Sequence, residues 1–275
     1  MVYMTFNSSC SYAGVANMLA QYHLTTDDRT IAMNMKLPYL FAYEDGIYMA
    51  GPMLQSADWF NLYLNPIGFH MVETTVSAER VVDYLKCQKT AMLGLKLEQN
   101  GKHAVVYIGK QNGQLLFLNN KWEQDPAPEQ IAFTEAELLK QVEHTITIAT
   151  LEQVIPRKVD FSDRLRESVS VIRQNISEIQ KICNKEETVG ALRSKLNTLF
   201  RPLLLDGITM LGLLGETELM QQFTAIQRDF LAALRQDVNT VITLGDHFST
   251  KGLAAAADGY IQLIMRELSG ATLGG

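Results

Sequence analysis

The chain has 275 residues, 30 acidic against 24 basic side chains, and a formal net charge of −6. That balance, with no Lys/Arg-rich run, argues against a nucleic-acid-binding surface, and 47% apolar with 20% charged residues is the composition of a soluble globular protein. The opening residues, MVYMTFNSSC, carry neither a basic n-region nor a continuous apolar h-region. The longest apolar stretch, LFRPLLLDGITMLGLLG, is broken by Arg201, Pro202 and Asp206. A cytoplasmic protein with no nucleic-acid or membrane partner is expected.

The elements change character near Pro156. From Cys10, the apolar residues Ala13, Val15, Ala16, Leu19, Ala20 and Tyr22 follow helical spacing, with Ser8 or Ser9 as N-cap. A second helix is expected over about 52–64 and a third from Ser77. TAMLGLKLE reads as a strand. HAVVYIGKQNGQLLFLNN reads as two strands joined at Asn112-Gly113, the strongest short-range hairpin signal. HTITIATLEQV reads as another strand. After Pro156 the strand signals stop. Phe161, Leu165, Val169, Ile172, Ile176 and Ile179 line one helical face, and further helices are expected at about 187–214, 216–244 and 250–268, with Pro202 kinking the second. The fold class expected is α+β, in two domains: 1–155, with a leading helix and an antiparallel sheet, and 156–275, an all-α bundle.

The three cysteines, Cys10, Cys87 and Cys183, are far apart and odd in number, so neither a disulfide framework nor a zinc site is expected. Cys87 and Cys183 fall within helical patterns and read as structural. Cys10 opens a helix, where the partial positive charge of the N-terminus favours thiolate. Of five histidines, His103 alone begins a strand directly after a turn, the place for a side chain facing a cleft. Asn119 follows it by 16 residues, at the end of the return strand, so either Asn119 or Asn120 is expected to meet the imidazole; the two alternate faces. A thiol, an imidazole and an orienting amide are the parts of a nucleophilic site. Trp59, Tyr39, Tyr43, Tyr48 and Tyr63 are candidates for a pocket lining, with core packing the simpler reading. GLKLEQNGKH is not a phosphate loop, because its glycines have the wrong spacing and His103 stands where Ser or Thr is needed.

A helix-borne Cys followed by His and Asn on adjacent strands resembles the papain-like cysteine hydrolases, and in particular the bacteriocin-processing peptidase branch. SSCSYAGVANMLAQYHLTTDD followed by MNMKLPYLFAYEDG resembles most closely the N-terminal domain of the butirosin biosynthesis protein H family, over about residues 5–150. That resemblance implies a papain-like fold and a cysteine acyltransferase, in which an acyl group passes from a carrier-protein thioester to an amine. It implies Cys10 as nucleophile, His103 as base then acid, and Asn119 as orienter, with no cofactor and no metal. The oxyanion would rest on the Cys10 N–H and one side-chain donor. The peptidase branch places a Gln six residues before the Cys, where this chain has Met4, and Asn7 is the nearby amide able to replace it. Acyl transfer from an activated thioester tolerates a weaker oxyanion site better than peptide cleavage does. A peptidase or amidohydrolase, and a catalytically silent member that binds a peptide or acyl ligand, are the alternatives. The helical domain is expected to serve as a lid, a partner surface or a homodimer contact.

Overall fold

The structure is a computed structural model that describes residues 1–96 and 102–273. Leu97 and Glu98 of the expected fourth segment, the turn ahead of Lys102 and the final glycines lie outside the described residues. In chain order the elements are α1 (Cys10–Ala20), α2 (Asp28–Asn34), β1 (Phe41–Glu44), β2 (Ile47–Ala50), α3 (Ala57–Leu64), β3 (Phe69–Ser77), α4 (Ala78–Lys86), β4 (Ala91–Lys96), β5 (Lys102–Gln111), β6 (Gln114–Asn119), β7 (Gln130–Phe133), α5 (Glu135–Gln141) and β8 (Thr145–Gln153). There follow α6 (Ser162–Cys183), β9 (Glu186–Thr188), α7 (Val189–Ser194), α8 (Gly207–Leu214), α9 (Thr217–Ala233), β10 (Val241–Thr243) and α10 (Thr250–Leu273).

The chain forms two compact units. One joins Met1–Met35 to Gln55–Val159; the other joins Lys36–Leu54 to the chain from Asp160 onward. Two consecutive domains split near residue 155 would leave 36–54 in the first, whereas by contact this segment belongs with the helices. Nothing in its composition marks it.

The first unit is mixed α/β. Its six-stranded sheet, in the order β3-β8-β4-β5-β6-β7, is antiparallel throughout. Alternation along β4, β5 and β6 puts Leu93, Leu95, Val105, Tyr107, Leu115 and Phe117 on one face, where Val81 and Leu85 of α4 and Leu138 of α5 close a buried cluster. Helix α1 packs against β4 and β5. Gly14 makes that approach possible, for a β-carbon there would lie 2.5 Å from Met92 Sδ and 2.8 Å from Asn120 Nδ2. The edge strand β3, which alternates too weakly for the sequence to announce it, is tied to α3 by Asn61. Its amide takes the Met71 N–H at 2.6 Å and donates to the Met71 carbonyl at 3.0 Å.

The β5–β6 hairpin turns at Asn112 and Gly113, both in the left-handed region at φ +50° and +81°, which is what a two-residue loop of this hand requires. The helix expected over 52–64 is shorter. Residues Gly51–Met53 make a 3-10 turn, and α3 starts only at Ala57, because Leu54 (ψ +74°) and the N-cap Ser56 (ψ +166°) leave the helical region between them.

The second unit departs from an all-α bundle. It carries two small antiparallel sheets, β1-β2 and β9-β10. Helices α6 and α9 pack on α10, and α8 packs on α9. The helix expected over 187–214 is broken into α7, two π-helical stretches at Leu196–Phe200 and Pro202–Asp206, and α8. Pro202 has no N–H to give the preceding turn, and the widened helix absorbs the missing bond. The helix expected over 216–244 ends at Ala233; the chain beyond it pairs β10 with β9.

Candidate functional site

Cys10 is the first residue of α1, so its N–H is among the helix-start donors that no helical carbonyl satisfies. The loop before it is bolted from α2. Asp28, fully buried, accepts the Thr5 N–H, the Thr5 hydroxyl and the Ser9 hydroxyl, each at 2.7 Å. Ser9 occupies the N-cap position but gives its hydroxyl to Asp28 rather than to the helix, and Ser8 lies in the left-handed region. The N-terminal segment is fixed as well, with Met4 bridging Trp122 and the Val2 N–H bonded to Asn17.

The half-buried Cys10 thiol meets the beginning of β5. Burial raises its pKa, but hydrogen bonding with His103, the Ala104 backbone N–H, the imidazole charge and the Ser11 hydroxyl together bring it below the ordinary thiol value. His103 responds in the opposite sense. Burial lowers its pKa, yet the Cys10 contact, the Asn119 side chain and the more distant Asp125 charge hold it above the ordinary imidazole value. Each group favours the charged form of the other, the condition for a thiolate–imidazolium pair. The remaining cysteines differ. Cys87 is exposed at the end of α4, and burial pushes Cys183 up to about 12.

Ladder register decides between the two asparagines. Asn119 stands opposite Val105, so it shares a face with His103, its diagonal neighbour. Its Nδ2 donates to the Pro128 carbonyl at 3.0 Å, which leaves Oδ1 for the imidazole side. His103 Nε2 is buried and closes no hydrogen bond of normal length among the described residues, while the Asn119 side chain lies near enough to favour the charged ring by hydrogen bonding. Contacts of this kind are often long before substrate binds. Asn120 turns the other way: it donates to the Ala104 carbonyl at 2.9 Å and accepts from Asn17 of α1 at 2.9 Å.

Asn7 is exposed on the turn before α1 and makes no hydrogen bond among the described residues. Sequence reasoning missed Gln55. The Ser11 hydroxyl, adjacent to the nucleophile, donates to Gln55 Oε1 at 2.8 Å; no local signal links residues 44 apart. Of the aromatic candidates, Trp59 and Tyr63 belong to the first unit and Tyr39, Tyr43 and Tyr48 to the second. Trp59 and Tyr48 are buried, while Tyr43 is exposed and stacks on Tyr48. Among the described residues no three His, Cys, Asp or Glu side chains gather as a metal site, and no helix is long and apolar enough to cross a membrane.

No protein-family model matches the chain, and no curated protein does. Among solved structures it is similar to the peptidase domain of Streptococcus ComA, a bifunctional ABC transporter involved in a quorum-sensing pathway. The identity is 13%, over 54% of this chain and 96% of that one, with a TM-score of 0.40. The chemistry of the site therefore stands on the side chains described above.

Proposed function

We propose that the protein is a papain-like cysteine enzyme of acyl-group chemistry, with transfer of an acyl group from a thioester to an amine as its reaction. The observation that supports this reading is the mutual perturbation of Cys10 and His103, thiol down and imidazole up. In the first half-reaction the Cys10 thiolate attacks the acyl carbonyl. A new C–S bond forms to Cys10, the old C–S bond breaks, and the departing thiolate takes the proton of the His103 imidazolium. In the second, an amine attacks the acyl-Cys10 carbonyl and gives its proton to the now neutral imidazole. The amide leaves and the Cys10 thiolate is restored. Asn119 holds the ring in the tautomer that both halves need. The tetrahedral oxygen falls at the Cys10 N–H, with a side-chain amide, Asn7 or Gln55, completing its site. A carrier-protein thioester is the donor this chemistry fits, in small-molecule biosynthesis in the cytoplasm, with the second unit as docking or homodimer surface.

The test is intact-mass spectrometry of the protein after exposure to short acyl thioesters of N-acetylcysteamine, with and without an added amine. A mass increase equal to the acyl group, located on Cys10, absent in Cys10→Ala and discharged as an amide by the amine, is expected. Acylation discharged by water alone, together with cleavage of peptides, would make the enzyme a peptidase or amidohydrolase. No acylation from either donor would leave a silent binding protein.

A further inference from the structure

We infer that Gln55 is the side-chain oxyanion donor of this site, its amide oriented by Ser11 so that Nε2 is presented to the acyl oxygen on Cys10. The inference rests on the acyl-chemistry reading above and names one more catalytic residue within it. Three observations converge. Ser11 is adjacent to the nucleophile on α1, and its hydroxyl lies beside the Cys10 thiol. The same hydroxyl donates to Gln55 Oε1 at 2.8 Å. With Oε1 committed to Ser11, the Gln55 Nε2 carries two N–H donors that have no partner among the described residues, although the amide is anchored one hydrogen bond from the nucleophile's neighbour. Oxyanion donors are effective when held in place before the reaction. Asn7, exposed like Gln55, lacks that property because its side chain makes no hydrogen bond among the described residues, and Met4 has no side-chain N–H to offer.

The experiment separates carbonyl chemistry from thiol activation. Single-turnover acylation of Cys10 by an acyl N-acetylcysteamine thioester is measured beside its alkylation by iodoacetamide across pH, in the wild type, Gln55→Ala, Gln55→Glu and Asn7→Ala. Alkylation occurs at a saturated carbon and builds no oxyanion. Gln55→Ala and Gln55→Glu should each slow acylation by at least about 10²-fold, while the alkylation profile of Gln55→Ala stays within about threefold of wild type and that of Gln55→Glu moves to higher pH because a carboxylate then stands near the thiolate. Glutamate keeps an acceptor for Ser11 and removes both donors, so a loss in Gln55→Glu at least as large as in Gln55→Ala assigns the effect to Nε2 rather than to the Ser11 bond. The inference is overturned if Gln55→Ala acylates within about threefold of wild type, if it slows alkylation as much as acylation, or if Asn7→Ala carries the loss instead. A wild type that is never acylated overturns the acyl-chemistry reading, and this assignment with it.

Discussion

Asn119 pairs directly with Val105 in the β5–β6 ladder only because one residue of β5 is bulged out between Tyr107 and Gly109. An unbroken ladder from the Gln111–Gln114 pair would set Asn120 opposite Val105 and turn Asn119 away from His103. The bulge thus gives two adjacent asparagines different work. Asn119→Ala removes a group that raises the His103 pKa, so the basic limb of the acylation profile moves to lower pH and the rate falls by about tenfold. Asn120→Ala removes a donor from the Ala104 carbonyl and leaves one N–H of Asn17, otherwise paired with Val2, without its buried acceptor. It lowers stability by about 1–3 kcal/mol, read from urea denaturation, and leaves the alkylation pH profile in place.

Thiol reactivity follows from the sign of each shift. The Cys10 pKa lies below the ordinary thiol value, so iodoacetamide modifies it at a pH below the free-thiol value of about 8.5. In His103→Ala the strongest lowering influence is gone and burial, which raises the pKa, remains; alkylation then starts at higher pH than in the wild type. Peptide mass spectrometry reads both, with exposed Cys87 as internal comparison and buried Cys183, pushed up to about 12, the least reactive of the three.

Asp28 shapes the nucleophile without touching it. Asp28→Ala removes the acceptor for one backbone N–H and two hydroxyls in a buried site, with an expected loss of about 3 kcal/mol. Because those bonds hold the loop leading into Cys10, the low-pH component of Cys10 alkylation should shrink in the fraction that remains folded by circular dichroism.

Gly14→Ala tests the packing of α1 on the sheet. Alanine ordinarily stabilises a helix over glycine by about 1 kcal/mol. Here its β-carbon would meet Met92 Sδ at 2.5 Å and Asn120 Nδ2 at 2.8 Å. The methionine can rotate, but Asn120 is held by two hydrogen bonds, so overpacking of about 1–3 kcal/mol exceeds the propensity gain. The denaturation midpoint should fall.

The second unit should show its own pH dependence through Asp206. Burial raises this carboxyl to about 6, against the attraction of Arg201 at 2.8 Å. A carboxyl whose folded pKa exceeds its unfolded value binds more protons when folded, so its contribution to stability is present below the unfolded pKa, near 3.8, and is lost as pH rises through about 6. A shift of this size corresponds to on the order of 3 kcal/mol. Asp206→Asn should flatten the fall in thermal stability between those values.

The sequence by itself determined the local elements. Helical spacing after Cys10, the Asn112-Gly113 turn and the apolar face of α6 are short-range patterns, written in neighbouring residues. The pairing of Cys10 with His103 was an expectation of the family resemblance, because no local pattern links a helix start to a strand start so far along the chain. Ser9 shows the limit. As a local signal it reads as a cap, yet a carboxylate 19 residues away claims its hydroxyl. Only the tertiary structure decided the bulge that selects Asn119, the bond that brings Gln55 to Ser11, the non-helical Leu54 and Ser56 that shorten α3, and the union of residues 36–54 with the helical unit. Each of these depends on contacts between segments distant in the chain, whose free energies exceed local preference and leave no periodic trace in the residues themselves.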